Sequence, residues 1–463
     1  MTKEKVLTGT VSAPRPKGVR GAVLTFTKDP FVYDPAECFE YIADGLIVIT
    51  DGKITDMGDY VSTIARHKSL DDIEIYRDSV IMPGFVDCHV HYVQSSIIGS
   101  YGDKLLDWLN RYTFPTEMAF SDKNVADETA RVFFRQILSR GTTTANVFAT
   151  TFEESVDAFF EESERYNTLM ISGKVLQDRN VPEGLRDRSP EESVAVTERL
   201  LQKWHGRGRQ LYAVIPRFAP TSTPRQLRLA GELYQKYIDR GVYLHTHLDE
   251  SVEEINLVAE LFPCVKTYAD VYHAFGMIDH RSVMAHCCVV TDYEWQLMHD
   301  HDCSVAHCPS SNLFLGGGQF RYWDAKKNGR AVRVGMGTDV GGGTGFSITR
   351  ELGEAYKVAM LGSHSLDIVR SLYLATRGGA ETLHLEDRIG SIALGYDADI
   401  AVIDLHPDSF AAWRLGYCTD IFEKLFALVT MSSDNLIRAT YVAGQKVYDR
   451  DRETPFCYAA EIG

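Results

Sequence analysis

The period of the apolar positions changes near residue 79. Before it, β-branched and aromatic residues gather in two extended runs, RGAVLTFTK (20–28) and GLIVITDGKITDMGD (45–59). The second folds back at Asp51-Gly52, a dipeptide favoured in tight hairpin turns, so a small antiparallel unit is predicted. Beyond Ser79, short apolar strands alternate with stretches of helical period. Strands are predicted at 79–86, 142–148, 168–175, 210–216, 242–247, 282–286, 303–307 and 332–338. Helices are predicted at 123–139, 151–164, 190–204, 223–239, 251–262, 291–300 and 349–361. A further helix near 366–376 precedes two β-rich segments, GSIALGYDADIAVID (390–404) and IRATYVAGQKVYDR (437–450), the latter turning at Gly444.

Eight strands with helical crossovers predict an α/β fold, a (β/α)8 TIM-like barrel. The β-rich flanks are expected to pair into one small β-sandwich domain. The expected division gives 1–75 and 386–463 to the β-domain and 76–385 to the barrel. An open doubly wound sheet is the competing architecture. It would place a Gly-rich phosphate loop after its first strand, and PGFVDCHVH is not one.

Composition narrows the function classes. The 463 residues exceed a usual domain of roughly 150, but one α/β barrel absorbs about 250 or more. A hydrophobic content of 44% supports a large core. The formal charge of −16, with no compensating Lys/Arg stripe, argues against a nucleic-acid partner and suits a small-molecule substrate. MTKEKVLTGTVSAPRP contains no apolar core of signal-peptide length, and no run approaches the ~18 apolar residues of a membrane span. No membrane partner is therefore expected. Nine cysteines, odd in number and without a CxxC framework, read as reduced thiols. Cytoplasmic location is the expectation.

The chemistry gathers where barrel enzymes carry it, at the C-terminal ends of the strands. His89 and His91 follow the first strand, and their spacing of two lets both imidazoles face one point. The fifth strand ends in His245, His247 and Glu250, the sixth in His286, the seventh in His307 and the eighth in Asp339. Six of the 15 histidines thus stand at one rim. Buried around a common point without a ligand, they would leave many polar atoms to satisfy. A metal site is the single physical reason for the set, and imidazole with carboxylate suits zinc or iron.

With these motifs the chain resembles the metal-dependent amidohydrolase superfamily, and more closely the guanine deaminases. The resemblance rests on PGFVDCHVHYVQ, LLDWLNRYTFPTE (105–117), the Pro216-Arg217-Phe218 segment, HTHLDE, VMAHCCVVT, VAHCPSSNLFL, GMGTDVGGG and RIGSIALGYDADIAVID. It implies that His89, His91, His247 and Asp339 bind one zinc ion, with iron the alternative. Binuclear relatives use a carboxylated lysine at the end of strand 4, which here reads YAVIPRF without lysine, so one metal is expected. Lys174, at the end of strand 3, is read as a packing or salt-bridge residue. The resemblance makes Glu250 the proton shuttle, Asp339 a ligand and base, and His286 a neighbour of the activated water. Gln94, Trp108, Arg217 and Phe218 become the purine contacts, together with Glu250 and His286. His245 is open between a place on the metal face and a supporting role, and His307, Ser311 and Asn312 are expected to shape the pocket. The implied reaction is hydrolysis of guanine to xanthine and ammonia by a homodimer. The alternative is another heterocycle, such as 8-oxoguanine, a pterin or a triazine. Asp249 stands where relatives often have Ser, and Cys287 where a Gly is common. Both could alter the pocket.

Overall fold

The computed structural model describes residues 16–102, 105–431 and 435–452. Most of the opening segment read for a signal core, and Cys457, lie outside them. Two sheets organise the chain. The first is mixed and seven-stranded, built from β1 (Lys17–Phe26), β2 (Phe39–Thr50), β3 (Lys53–Asp59) and β4 (Ile73–Pro83) with the late strands β14 (Ile400–Asp404), β15 (Ile437–Val442) and β16 (Gln445–Asp449). Its order is β16-β15-β14-β4-β1-β2-β3, so the two ends of the chain meet where β14 runs antiparallel to β4. The N- and C-terminal segments do form one β-domain.

The second sheet is the barrel. Its strands are β5 (Phe85–His91), β6 (Thr142–Phe148), β7 (Leu169–Gly173), β9 (Leu211–Pro216), β10 (Tyr243–Leu248), β11 (Ser282–His286), β12 (Ser304–His307) and β13 (Arg333–Met336). They pair in parallel in chain order, and the two-residue β8 (Val175–Leu176) adds to β9. Every residue of β5, β6, β7, β10, β11 and β12 is buried, as expected of strands packed on the barrel core inside and on helices outside. Closure is visible in hydrogen bonds between the segment that follows β13 and the first barrel strand. The Asp339 N–H donates to the His89 carbonyl at 2.9 Å, and the Thr338 N–H donates to the Asp87 carboxylate at 3.0 Å.

The first predicted barrel strand is divided between the two sheets. Residues 79–83 belong to β4 in the mixed sheet, and the barrel's first strand begins at Phe85, so β4 spans the expected boundary at 75/76. The break is at Gly84, where a β-carbon would stand 2.2 Å from Thr143 Oγ1. His89 and His91 consequently lie within the strand rather than after it.

The crossover helices follow the predicted positions closely, and six of the seven carry a capping side chain at their start; Glu153–Tyr166, which follows Phe152, does not. Asp122, Ser189, Thr223, Ser251, Thr291 and Ser347 cap Lys123–Leu138, Pro190–Trp204, Pro224–Tyr237, Val252–Leu261, Asp292–Asp300 and Ile348–Leu361. Each cap side chain accepts from a backbone N–H of the first turn, satisfying a donor with no partner inside the helix. Barrel and β-domain are tied by a buried ion cluster. Arg209, just before β9, donates to Asp399 Oδ2 at 2.5 Å and to Asp397 Oδ2 at 2.9 Å. Removing one partner from such a cluster costs about 3–5 kcal/mol, because the charges left behind stay buried.

Candidate active site

Alternation along β5 and β10 places two pairs of imidazoles inside the barrel. His89 and His91 come from β5, and His245 and His247 from β10. His286 ends β11, and Asp339 follows β13 with a left-handed backbone, φ +46°. All six are buried. His89 Nε2 lies 3.1 Å and His91 Nε2 3.3 Å from Asp339 Oδ1, while His91 Nε2 and His247 Nε2 are 3.2 Å apart. His286 Nε2 stands slightly off, 3.9 Å from Asp339 Oδ2 and 3.7 Å from Glu250 Oε2.

The hydrogen bonds behind these rings decide which nitrogen is free. His247 Nδ1 is 2.7 Å from the Arg217 carbonyl and His245 Nδ1 is 2.9 Å from the Val283 carbonyl. A carbonyl only accepts, so both rings carry their proton on Nδ1 and leave Nε2 as a lone pair. His245 Nε2 in turn accepts from His89 Nδ1 at 2.8 Å, which leaves His89 Nε2 bare. His245 therefore supports His89 rather than joining the metal face. Asn312 Oδ1 accepts from His286 Nδ1 at 2.8 Å in the same manner.

Burial holds His89, His91 and His247 well below the usual imidazole range, and His245 is pushed down to about 3 for the same reason. His89 and His247 are thus neutral rings whose Nε2 lone pairs face the cluster, the form in which imidazole ligates. His89 Nε2 is buried without a hydrogen-bond partner. Separations of 3.1–3.3 Å match the ~3.3 Å edge of a tetrahedron whose metal–ligand bonds are about 2.0–2.1 Å. His89, His91, His247 and Asp339 fit a divalent cation.

Above them opens a pocket bordered by His91, His247, His286, Glu250 and Asp339 on its polar floor. Gln94, Trp108, Arg217 and Phe218 also line it, and Leu105, Leu109 and Leu315 complete an apolar wall. The structure thus brings the sequence-derived contacts to one cavity, with His89 directly beneath. Trp108 Nε1 donates to the Ser100 carbonyl at 3.0 Å, which anchors the indole. Burial, with the Asp339 charge second, raises Glu250 well above the carboxylate range.

Other expected participants lie elsewhere. His307 is stacked on Phe320, with ring centroids 4.4 Å apart, and its Nδ1 is 2.5 Å from the Tyr322 hydroxyl. Lys174 donates to Asp187 Oδ1 at 2.5 Å and to the Val175 carbonyl at 3.0 Å, a salt-bridge arrangement. Asp249 and Cys287 both have left-handed backbones, φ +51° and +52°. That conformation is why a glycine suits position 287.

One residue escaped the sequence reading. Glu117 is fully buried on the helix Phe114–Met118 and accepts from both Gln94 and Arg217. Its only signal is its place at the end of WLNRYTFPTE, where an acidic residue in a first helical turn is ordinary.

The amidohydrolase family profile matches residues 80–447. Guanine deaminase of Escherichia coli (strain K12) is 41% identical over 443 residues, covering 94% of this chain and 98% of that one. The solved structure of the E. coli enzyme superposes with a TM-score of 0.90, at 41% identity, over 94% of this chain and 100% of that one. A guanine deaminase from C. acetobutylicum, solved with guanine bound in its active site, gives a TM-score of 0.83 at 27% identity, over 94% and 100% of the two chains. This chain belongs to the amidohydrolase family and, within it, to the guanine deaminases.

Proposed function

We propose that the protein hydrolyses guanine to xanthine and ammonia. The observation that carries this reading is the convergence of three Nε2 atoms and Asp339 Oδ1 directly beneath a pocket walled by Arg217 and Gln94. His89, His91, His247 and Asp339 would hold one zinc ion, with iron the alternative. When bound, the ion supplies Lewis-acid activation of water near neutral pH.

The side chains divide the remaining work. Asp339 turns Oδ1 to the imidazoles and keeps Oδ2 towards His286, so Oδ2 can accept a proton from the attacking water. His286, with Nδ1 committed to Asn312, offers Nε2 as an acceptor that orients the water. Glu250, protonated through burial, donates to the ring nitrogen next to C2 as the C2–O bond forms. Asp339 Oδ2 then passes the water's proton to the amino nitrogen, the C2–N bond breaks to release ammonia, and the C2 hydroxyl returns its proton to Glu250 as the carbonyl forms. The apolar wall keeps competing water out, and Phe218 and Trp108 pack on the purine faces.

Arg217 donates to the C6 carbonyl. Adenine has an amino group at C6 and leaves that donor unpaired in a buried site, which discriminates strongly against it. The test is ammonia release from guanine, 8-oxoguanine, adenine and cytosine by the metal-loaded protein. Guanine is expected to react fastest. No ammonia from guanine overturns the reading, and faster release from 8-oxoguanine reassigns the substrate.

We further infer a cytoplasmic homodimer. Free cysteines throughout the described residues, and no helix among them long and apolar enough to cross a membrane, accord with that location. Light scattering should report twice the chain mass of 52.0 kDa. A mass of one chain refutes the dimer.

A further inference from the structure

We propose that Glu117 is a positioning residue that sets the order of donor and acceptor on the purine-reading wall. This rests on the reading of the pocket as a guanine site and adds which edge of the base is read, and by what device.

Glu117 lies 23 residues from Gln94 and 100 from Arg217, and its carboxylate joins them. Gln94 Nε2 donates to Glu117 Oε1 at 3.0 Å, and Arg217 Nη1 donates to Oε1 and Oε2 at 2.9 and 2.8 Å. All three side chains are buried, with Glu117 at 0% exposure, so water does not compete for these bonds. A carboxylate only accepts, so the Gln94 amide cannot flip without turning its oxygen onto a negative charge. The arrangement thereby fixes Nε2 towards Glu117 and Oε1 away from it. Oε1 lies against Gly341, where a β-carbon would stand 2.2 Å away. That glycine, φ +110°, leaves room for the amide.

The guanidinium is held by the same carboxylate through Nη1. Its other N–H groups remain for a ligand, beside an amide that shows an acceptor. The wall therefore presents a donor next to an acceptor. Its complement is a carbonyl adjacent to a ring N–H, which is the C6=O and N1–H edge of guanine. A base with an unprotonated N1 and no carbonyl offers the opposite pattern at N1 and nothing at C6. Arg217 also stacks over Phe114, with its guanidinium carbon 5.5 Å from the ring centroid, which holds the plane of the fork. Phe114 and Glu117 sit on one short helix. That segment follows a π-helical turn, Leu109–Thr113, so a local change in helical winding aims the carboxylate.

Glu117→Gln tests the assignment. The amide at 117 keeps the shape but donates as well as accepts, so it frees Gln94 to flip and removes the charge holding Arg217. The KM for guanine is compared with the inhibition constant of 2-aminopurine, which keeps the ring and the C2 amino group but lacks the C6 carbonyl and the N1 proton. The KM is expected to rise about 100-fold, with kcat within about tenfold of the parent and 2-aminopurine affinity unchanged or improved. A structural role would weaken both ligands alike. Glu117→Asp, which keeps the carboxylate, should restore most of the preference for guanine, and Glu117→Ala, which also removes the acceptor, carries the test with the same expected loss if the glutamine variant does not fold. A guanine to 2-aminopurine ratio within threefold of the parent in folded Glu117→Gln, or a loss of preference as large in Glu117→Asp as in Glu117→Gln, overturns the proposal. Should the parent release no ammonia from guanine, the functional reading fails. Calorimetric binding of the same two bases then still decides whether Glu117 sets the preference.

Discussion

Glu250→Gln is expected to lower kcat for guanine by about 10²–10⁴-fold while the protein retains one metal equivalent per chain. Glu250 is not within ligating distance of the cluster by any measured contact. Its nearest partner there is His286 Nε2 at 3.7 Å, so an amide in its place leaves the ligand set intact. What is lost is an exchangeable proton. Burial raises the carboxyl well above its ordinary range, so the protonated form persists at pH values where an exposed glutamic acid would be ionised. That form can protonate a weakly basic ring nitrogen, and a glutamine amide cannot. The substitution is nearly isosteric, and the backbone N–H of residue 250 keeps its 3.0 Å bond to Glu254 Oε2. Turnover within a few-fold of the parent would show that another group moves the proton. Loss of the metal would show that Glu250 belongs to the ligand set.

Asp339→Asn is expected to fail differently, with metal content below one equivalent and turnover reduced about 10³-fold or more. Asp339 is the single acidic member among three neutral imidazoles, so the asparagine removes the charge that balances a divalent cation. It also removes the oxygen that accepts the water's proton. Asparagine is the apt replacement because residue 339 has φ +46°, a conformation that Asn adopts at little cost. Its N–H can still donate to the His89 carbonyl, so closure of the barrel is preserved. Metal analysis by mass spectrometry and a steady-state assay on the same preparation separate the two variants. Full metal occupancy in Asp339→Asn would exclude this carboxylate as a necessary ligand.

The two variants also mark how deeply the site can be read along the chain. Strand period places His89 with His91, and His245 with His247, on common faces before any packing is known. Metal chemistry then demands few residue types, so their recurrence at successive strand ends is a strong local signal. Helix starts were equally legible, since Asp122, Ser189, Thr223, Ser251, Thr291 and Ser347 are local signals acting within one turn. The strand predicted at 79–86 was not, because its division between two sheets depends on long-range partners, with β14 beside β4 and β6 beside β5.

The amino-acid order alone therefore determined the barrel, the β-domain built from both ends, and the residue types at the rim. Tertiary structure decided the state and setting of each group. Carbonyls of Arg217 and Val283 choose the free nitrogen of His247 and His245, and His245 hands that choice on to His89. Glu117 joins Gln94 to Arg217 across 23 and 100 residues. The physical reason is one of range. Periodicity and capping act between near neighbours and leave a pattern in the sequence, whereas a buried hydrogen bond between distant strands leaves none until the fold brings its two ends together.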